Sequence, residues 1–183
     1  MSYSYIDSDI LLQPLLAQIS SASTLLLDTE FIRVSTYFPK LGLLQLHLNA
    51  VDYLIDPLAI NSINLLWDAI FSDHRLFVFH SCKEDLDVLQ VCAQKLPGRV
   101  FDTQVAAAFL GYGASLGYAG LVEKVCDVTV AKDQTLTDWL ARPLTAAQKL
   151  YAAKDVSYLQ YLYDHLSQEL NTTGKTEWFN EEM

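Results

Sequence analysis

Basic charge, cysteine, glycine, proline and long apolar runs are all scarce in this sequence, and each shortage removes a class of protein. Lysine and arginine number 12 against 22 aspartates and glutamates, a net charge of −10. Polyanion binding usually leaves a basic footprint. A nucleic-acid partner would therefore have to be met by cations held on carboxylates, or by basic residues gathered on one face. The three cysteines, Cys82, Cys92 and Cys126, are odd in number and widely spaced. With no CxxC and no Cys/His cluster they indicate neither zinc nor a disulfide framework, and are expected as buried free thiols. No apolar run approaches the ~18 residues of a membrane helix. No lysine or arginine precedes Arg33, so the N-terminus lacks the charged start of a signal peptide. The expectation is a cytoplasmic protein without membrane association.

What is present describes a globular chain. About half of the 183 residues are apolar, enough for one domain with a sizeable core. Residues 24–29 (TLLLDT), 42–48 (GLLQLHL) and 51–56 (VDYLID) read as successive strands. The first is continuously apolar and the second alternates. Helical spacing follows over 64–71, then a strand at 75–80, a helix at 84–95, a short strand at 100–102 and a helix at 103–110. Beyond these the chain reads as helix over 115–126 and 145–170. The polar residues 171–183 are expected to fray. The order predicts an α/β fold, a mixed sheet flanked by helices, in one domain over 1–170 with a tail at 171–183.

Three acidic stations stand out. Asp28 and Glu30 end the apolar strand one residue apart, so both carboxylates share a face. So placed they repel, and without a cation one of them tends to take up a proton. An ordinary solvated strand end is the competing reading. Asp85, in HSCKED, falls where a strand feeds a helix; an acid there favours the helix dipole and also stands where open α/β sheets place their sites. Tyr151 and Asp155 are four residues apart on a helix and face the same way, with small Ala152 and Ala153 between them. Each station alone has an ordinary structural explanation. Together, four acids in this order could converge into an oxygen-only site suited to Mg²⁺ or Mn²⁺. Two such ions roughly 4 Å apart serve phosphodiester hydrolysis.

The segments LDTEFIRVSTYFPKLGLLQL, HSCKEDLDVL, FDTQVAAAFLGYGASLGYAGLV and TDWLARPLTAAQKLYAAKDVSYL resemble the catalytic domain of ribonuclease D. That family lies within the DEDD group of 3′→5′ exonucleases, and the likeness runs from about Leu25 to Leu162. It implies an RNase H-like (DnaQ-like exonuclease) fold and an exoribonuclease that hydrolyses single-stranded RNA 3′ ends to nucleoside 5′-monophosphates. RNA processing or degradation, with tRNA 3′ maturation as one case, is the implied role. It also implies Asp28, Glu30, Asp85 and Asp155 as catalytic ligands of two Mg²⁺ or Mn²⁺ ions, with Tyr151 as their catalytic companion. The sister subgroup carries a histidine five residues before the last aspartate; that position is Leu150, and Y-x-x-x-D is present instead. An ordinary phenol has a pKa near 10, so Tyr151 is expected to orient the attacking water rather than to deprotonate it.

Several weaker signals surround these stations. Thr29, Phe31 and Arg33 beside the first, and Trp139 and Arg142 before the third, are candidates to seat the terminal nucleotide, stack on a base or contact phosphate. An Arg142–Asp138 pair and a Trp139 packed into the core are the ordinary alternatives. Arg33, Lys40, Lys83, Lys132, Lys149 and Lys154 are candidates for a local basic rim, and His80 reads as a packed or capping residue. GYGASLGYAG over 111–120 has glycines of the wrong spacing, after a helix rather than a strand, and reads as a tight helix connection. The chain ends about twenty-eight residues past Asp155, too few for the helical HRDC domains that usually follow this catalytic domain. Their expected absence leaves tRNA preference and processivity open, and leaves room for a homodimer. DNA as substrate, or a catalytically silent RNA-binding module, are the alternatives.

Overall fold

The computed structural model describes residues 3–33, 37–72, 75–130 and 137–183. A six-stranded sheet runs through it in the order β1-β4-β3-β2-β5-β6. The strands are β1 (Tyr3–Ile6), β2 (Thr24–Ile32), β3 (Lys40–Leu48), β4 (Val51–Ile55), β5 (Leu76–Phe79) and β6 (Val100–Asp102). β2, β3 and β4 form an antiparallel meander, while β1 joins β4, and β5 and β6 extend from β2, in parallel. The mixed sheet expected from the element order is therefore present.

Side-chain alternation divides β2 between two layers. Leu25 and Leu27 pack with helices α1 (Asp9–Ser21), α2 (Ile63–Ile70) and α3 (Lys83–Cys92). Leu26 packs on the opposite face with α4 (Thr103–Phe109), α5 (Tyr118–Cys126), α6 (Ala146–Ser157) and α7 (Leu159–Thr172). A strand covered on both faces has no polar side to show, which explains its unbroken leucines.

The register creates a notch. Pairing of β2 with β5 ends at Leu26↔Val78, whereas pairing with β3 continues to Ile32↔Lys40 across a bulge at Glu30/Phe31. Residues 28–32 thus project past the end of β5, with one edge unpaired by it. That edge is where two helix layers can reach the same strand.

Three expectations change. β1 and α1 were not anticipated: Pro14 lies inside α1 and Ile10 is 85% exposed, which blurs a period carried by buried Leu12, Leu15 and Ile19. The helix expected over 145–170 is two helices that meet at Tyr158. The frayed tail is instead the end of α7 and a further helix, α8 (Thr176–Glu182). Gly174 makes the turn between them at φ 68, a left-handed conformation that suits glycine. Phe179, 3% exposed, anchors α8 against Phe101 and Phe109. All three cysteines are free; Cys82 is buried and the other two are half-buried.

Candidate active site

The carboxylates of Asp28, Glu30 and Asp155 each offer an oxygen within 4.8 Å of the others. Asp28 and Glu30 lie on the α6 side of β2, in step with Leu26, and α6 brings Asp155 down onto them. Ala152 and Ala153, 0% and 1% exposed, let that turn of α6 lie close to the sheet. The phenol of Tyr151 hydrogen-bonds the Asp155 carboxylate, the i,i+4 relation expected from the sequence.

Asp85 reaches the same strand from the other layer. It belongs to α3, and its carboxylate accepts a 2.5 Å hydrogen bond from Thr29 Oγ1. Thr29 points the opposite way from its two acidic neighbours because side chains alternate along a strand. Asp85 lies outside the close trio, although its charge acts on Asp28 and Glu30. The start of α3 is itself held by Asp102, whose Oδ1 accepts from the Ser81 and Gln104 amides at 2.9 and 2.7 Å and Oδ2 from Cys82 at 2.8 Å. The N-cap role of Asp102 is readable in FDT; its hold on residues some twenty positions earlier is not.

Burial and crowding push all four acids toward the neutral form. Asp28 is raised well above the usual carboxylate range by burial, then by the charges of Asp85, Asp155 and Glu30. Glu30 is pushed up to about 9 by burial and then by Asp155 and Asp85. Burial raises Asp85 to about 7 against its hydrogen bonds from Thr29, and Asp155 to about 7 against the Tyr151 phenol and Lys154. Carboxylates this close stay ionised together only beside a countercharge. The donor set is all oxygen, which fits a hard divalent cation.

A cavity of about 190 Å³ opens on this site, walled by Asp28, Tyr151 and Asp155 with His80 and Tyr118 behind them. A larger one, about 470 Å³, lies between β6 and α7–α8 and has no aspartate or glutamate among the described residues of its wall. Chemistry rather than size marks the site. His80 is packed, as expected: its ring meets Tyr118 edge-on and its Nδ1 lies 2.9 Å from Thr103 Oγ1. Burial lowers its pKa to about 4.

Of the residues expected at the substrate, three are placed elsewhere. Trp139 is 1% exposed and tilts against the Tyr151 ring at 6.2 Å, so no base can stack on it. Arg142 is consumed by a bidentate pair with buried Asp56, at 2.6 and 2.7 Å, and by the carbonyls of Gly42 and Trp139. Its partner is not Asp138, which accepts from the Leu140 amide instead. Gly42 permits this packing, since a Cβ there would stand 2.5 Å from the Trp139 carbonyl oxygen. Thr29, 6% exposed, serves Asp85. Phe31 is half-buried, and exposed Arg33 pairs with Asp87 at 3.2 Å. Lys40 and Lys83 are exposed, Lys149 sits over the Tyr5 ring at 3.7 Å, and Lys154 is half-buried near Asp155. Lys132 lies outside the described residues. Gln45, which no motif marks, is fully buried opposite Asp28 on β3, with its amide nitrogen 3.5 Å from that carboxylate.

An acid pair on a central strand is thus joined by acids from helices on both layers. A family model described as 3′-5′ exonuclease matches residues 3–171, and the chain belongs to that family. Within it the chain is similar to ribonuclease D of Shewanella sp. (strain ANA-3), 40% identical over 180 residues, 98% of this chain and 46% of that one. Ribonuclease D of Haemophilus influenzae is 47% identical over 156 residues, covering 85% of this chain and 38% of that protein. The crystal structure of Escherichia coli RNase D, described as an exoribonuclease involved in structured RNA processing, superposes with a TM-score of 0.92 at 38% identity. That match covers 100% of this chain and 48% of the other. The chain thus spans about half the length of the relatives it matches. The expected fold is the one found. Among the described residues no helix is long and apolar enough to cross a membrane.

Proposed function

We propose that this chain is a metal-dependent 3′→5′ exoribonuclease that releases nucleoside 5′-monophosphates from single-stranded RNA 3′ ends. The observation that carries this reading is the convergence of Asp28, Glu30 and Asp155 within 4.8 Å, with Asp85 held beside them by Thr29. Likeness to ribonuclease D along nearly the whole chain supports RNA as the substrate class. Asp28, Glu30, Asp85 and Asp155 would hold two divalent cations, Mg²⁺ or Mn²⁺. Such ions supply Lewis acidity at the phosphate, toward both the attacking water and the departing 3′-oxygen.

The chain's own residues set the geometry. Tyr151 donates to Asp155 at the mouth of the cavity, where its phenol oxygen also has a lone pair for the attacking water. Trp139 packs against the Tyr151 ring. Phe31, on the projecting end of β2, would seat the terminal nucleotide, and Arg33 beyond it would meet phosphate.

The test is digestion of 5′-labelled single-stranded RNA and matched DNA with Mg²⁺, Mn²⁺ or EDTA, using Asp28→Asn as control. Stepwise shortening of RNA from its 3′ end, lost with EDTA and with Asp28→Asn, is the expected result. Absence of shortening in either metal would refute the enzyme, and equal digestion of DNA would refute the RNA preference.

A further inference from the structure

The junction of α6 and α7 is broken without proline or glycine. In a continuous helix the Tyr158 N–H would bond the Lys154 carbonyl. Here Tyr118, the first residue of α5, places its hydroxyl between those two groups. Tyr118 Oη donates to the Lys154 carbonyl at 3.0 Å and accepts from the Tyr158 N–H at 3.1 Å. A side chain inserted into the helical ladder is a recognised cause of a sharp helix break. The bridged carbonyl belongs to the residue immediately before Asp155.

The last turn of α6 is therefore held from two sides. Ser157 Oγ is 2.7 Å from Asp52 Oδ2 on β4 and 2.6 Å from the Ala153 carbonyl. Tyr118 holds the opposite side, from α5. Its ring also walls the cavity beside Asp28 and Asp155, and meets His80 edge-on at 5.6 Å. With both hydrogen-bonding roles committed to backbone, this hydroxyl acts as a strut rather than as an acid or base.

We infer that Tyr118 is a positioning residue of the active site: its hydroxyl splices α6 to α7 and thereby sets where Asp155 stands against Asp28 and Glu30. The inference rests on the reading of those carboxylates as a divalent-cation site. Removing the hydroxyl takes the inserted donor from the Lys154 carbonyl and leaves the Tyr158 amide only the Val156 carbonyl, or lets the helix heal through position 158 and swing the Asp155 turn. Either outcome moves one ligand of a close trio.

The test is Tyr118→Phe in the full chain, with Mn²⁺ affinity measured by electron paramagnetic resonance and kinetics on single-stranded RNA. The Mn²⁺ dissociation constant should rise by about tenfold or more, the range expected when a partner behind a ligand is removed. The kcat should fall in parallel while KM for RNA stays within about twofold. Tyr112→Phe, which deletes a tyrosine hydroxyl bonded to Glu169 on α7, should change neither. A second measurement needs no variant: in the wild-type protein, hydrogen exchange of the Tyr158 amide should slow when Mg²⁺ saturates the site. Wild-type protein that binds Mn²⁺, with unchanged affinity in Tyr118→Phe or with Tyr158 exchange indifferent to Mg²⁺, overturns the role of Tyr118 alone. Wild-type protein that binds no Mn²⁺ overturns the cation site, and this inference with it.

Discussion

Thr29 and Asp85 are joined on the α3 face of the sheet by a 2.5 Å hydrogen bond between a buried hydroxyl and a buried carboxylate. The bond ties α3 to the strand that carries Asp28 and Glu30 on its other face. A residue wedged between two acids thus orients a third acid from the opposite layer.

Thr29→Val keeps the shape and removes the donor. Activity should fall about tenfold, the usual scale for losing a group that orients a ligand, and stability by about 1–3 kcal/mol. Thr29→Ser should stay near wild type. Initial rates and thermal melts on the two variants decide it; a fully active Thr29→Val would show that the hydroxyl does not orient Asp85.

Metal-free protein should lose stability as pH rises. Glu30 titrates at about 9 when folded against an ordinary 4.5, and Asp85 and Asp155 at about 7 against 3.8. Between those values the folded state holds protons that the unfolded state has released, so unfolding gains with pH. The stabilisation is complete below the ordinary carboxylate values and is lost as pH climbs through 7 toward 9. Divalent metal should reverse the loss, by ~2.7 kcal/mol at a hundredfold excess over its dissociation constant. Melting curves in EDTA and in Mg²⁺ at about pH 5.5 and about pH 8.5 should show the larger metal increment at the higher pH.

Arg142→Ala should act on folding and not on phosphate binding. It strands the Asp56 carboxylate, 1% exposed, at a cost of about 3 kcal/mol. The salt dependence of RNA binding, measured in Ca²⁺ to suppress turnover, should keep its slope. Arg33→Ala should instead flatten that slope by about 0.7, the share of one single-strand phosphate contact.

Phe179→Ala should destabilise by about 3 kcal/mol, although it lies in a stretch whose composition suggests a loose end. Trp178→Ala, one residue earlier and 62% exposed, should change stability by less than about 0.5 kcal/mol. Chemical denaturation of the two variants measures the contrast, and equal effects would mean that α8 is not docked through Phe179.

Much of the site was readable along the chain. Alternation on a buried strand put Asp28 and Glu30 on one face, and a one-turn spacing aligned Tyr151 with Asp155. What misled was local plausibility. Trp139 and Arg142, flanking the third station, suggested stacking and phosphate contact, yet their chemistry is spent inside the fold. The polar run 171–183 concealed Phe179, whose burial depends on a groove built by β6 and α4.

By itself the sequence determined the sheet's central strand, the acids that line it, and the oxygen-only character of the site. These follow from periods of two and of three to four residues, which neighbouring positions enforce. Only the tertiary structure decided that Thr29 serves Asp85, that Arg142 closes on Asp56, and that Tyr118 enters the α6–α7 junction. Those partners lie 56, 86 and 40 positions apart. No local period specifies such pairs; they are chosen by which polar groups remain unpaired once the layers close on the core.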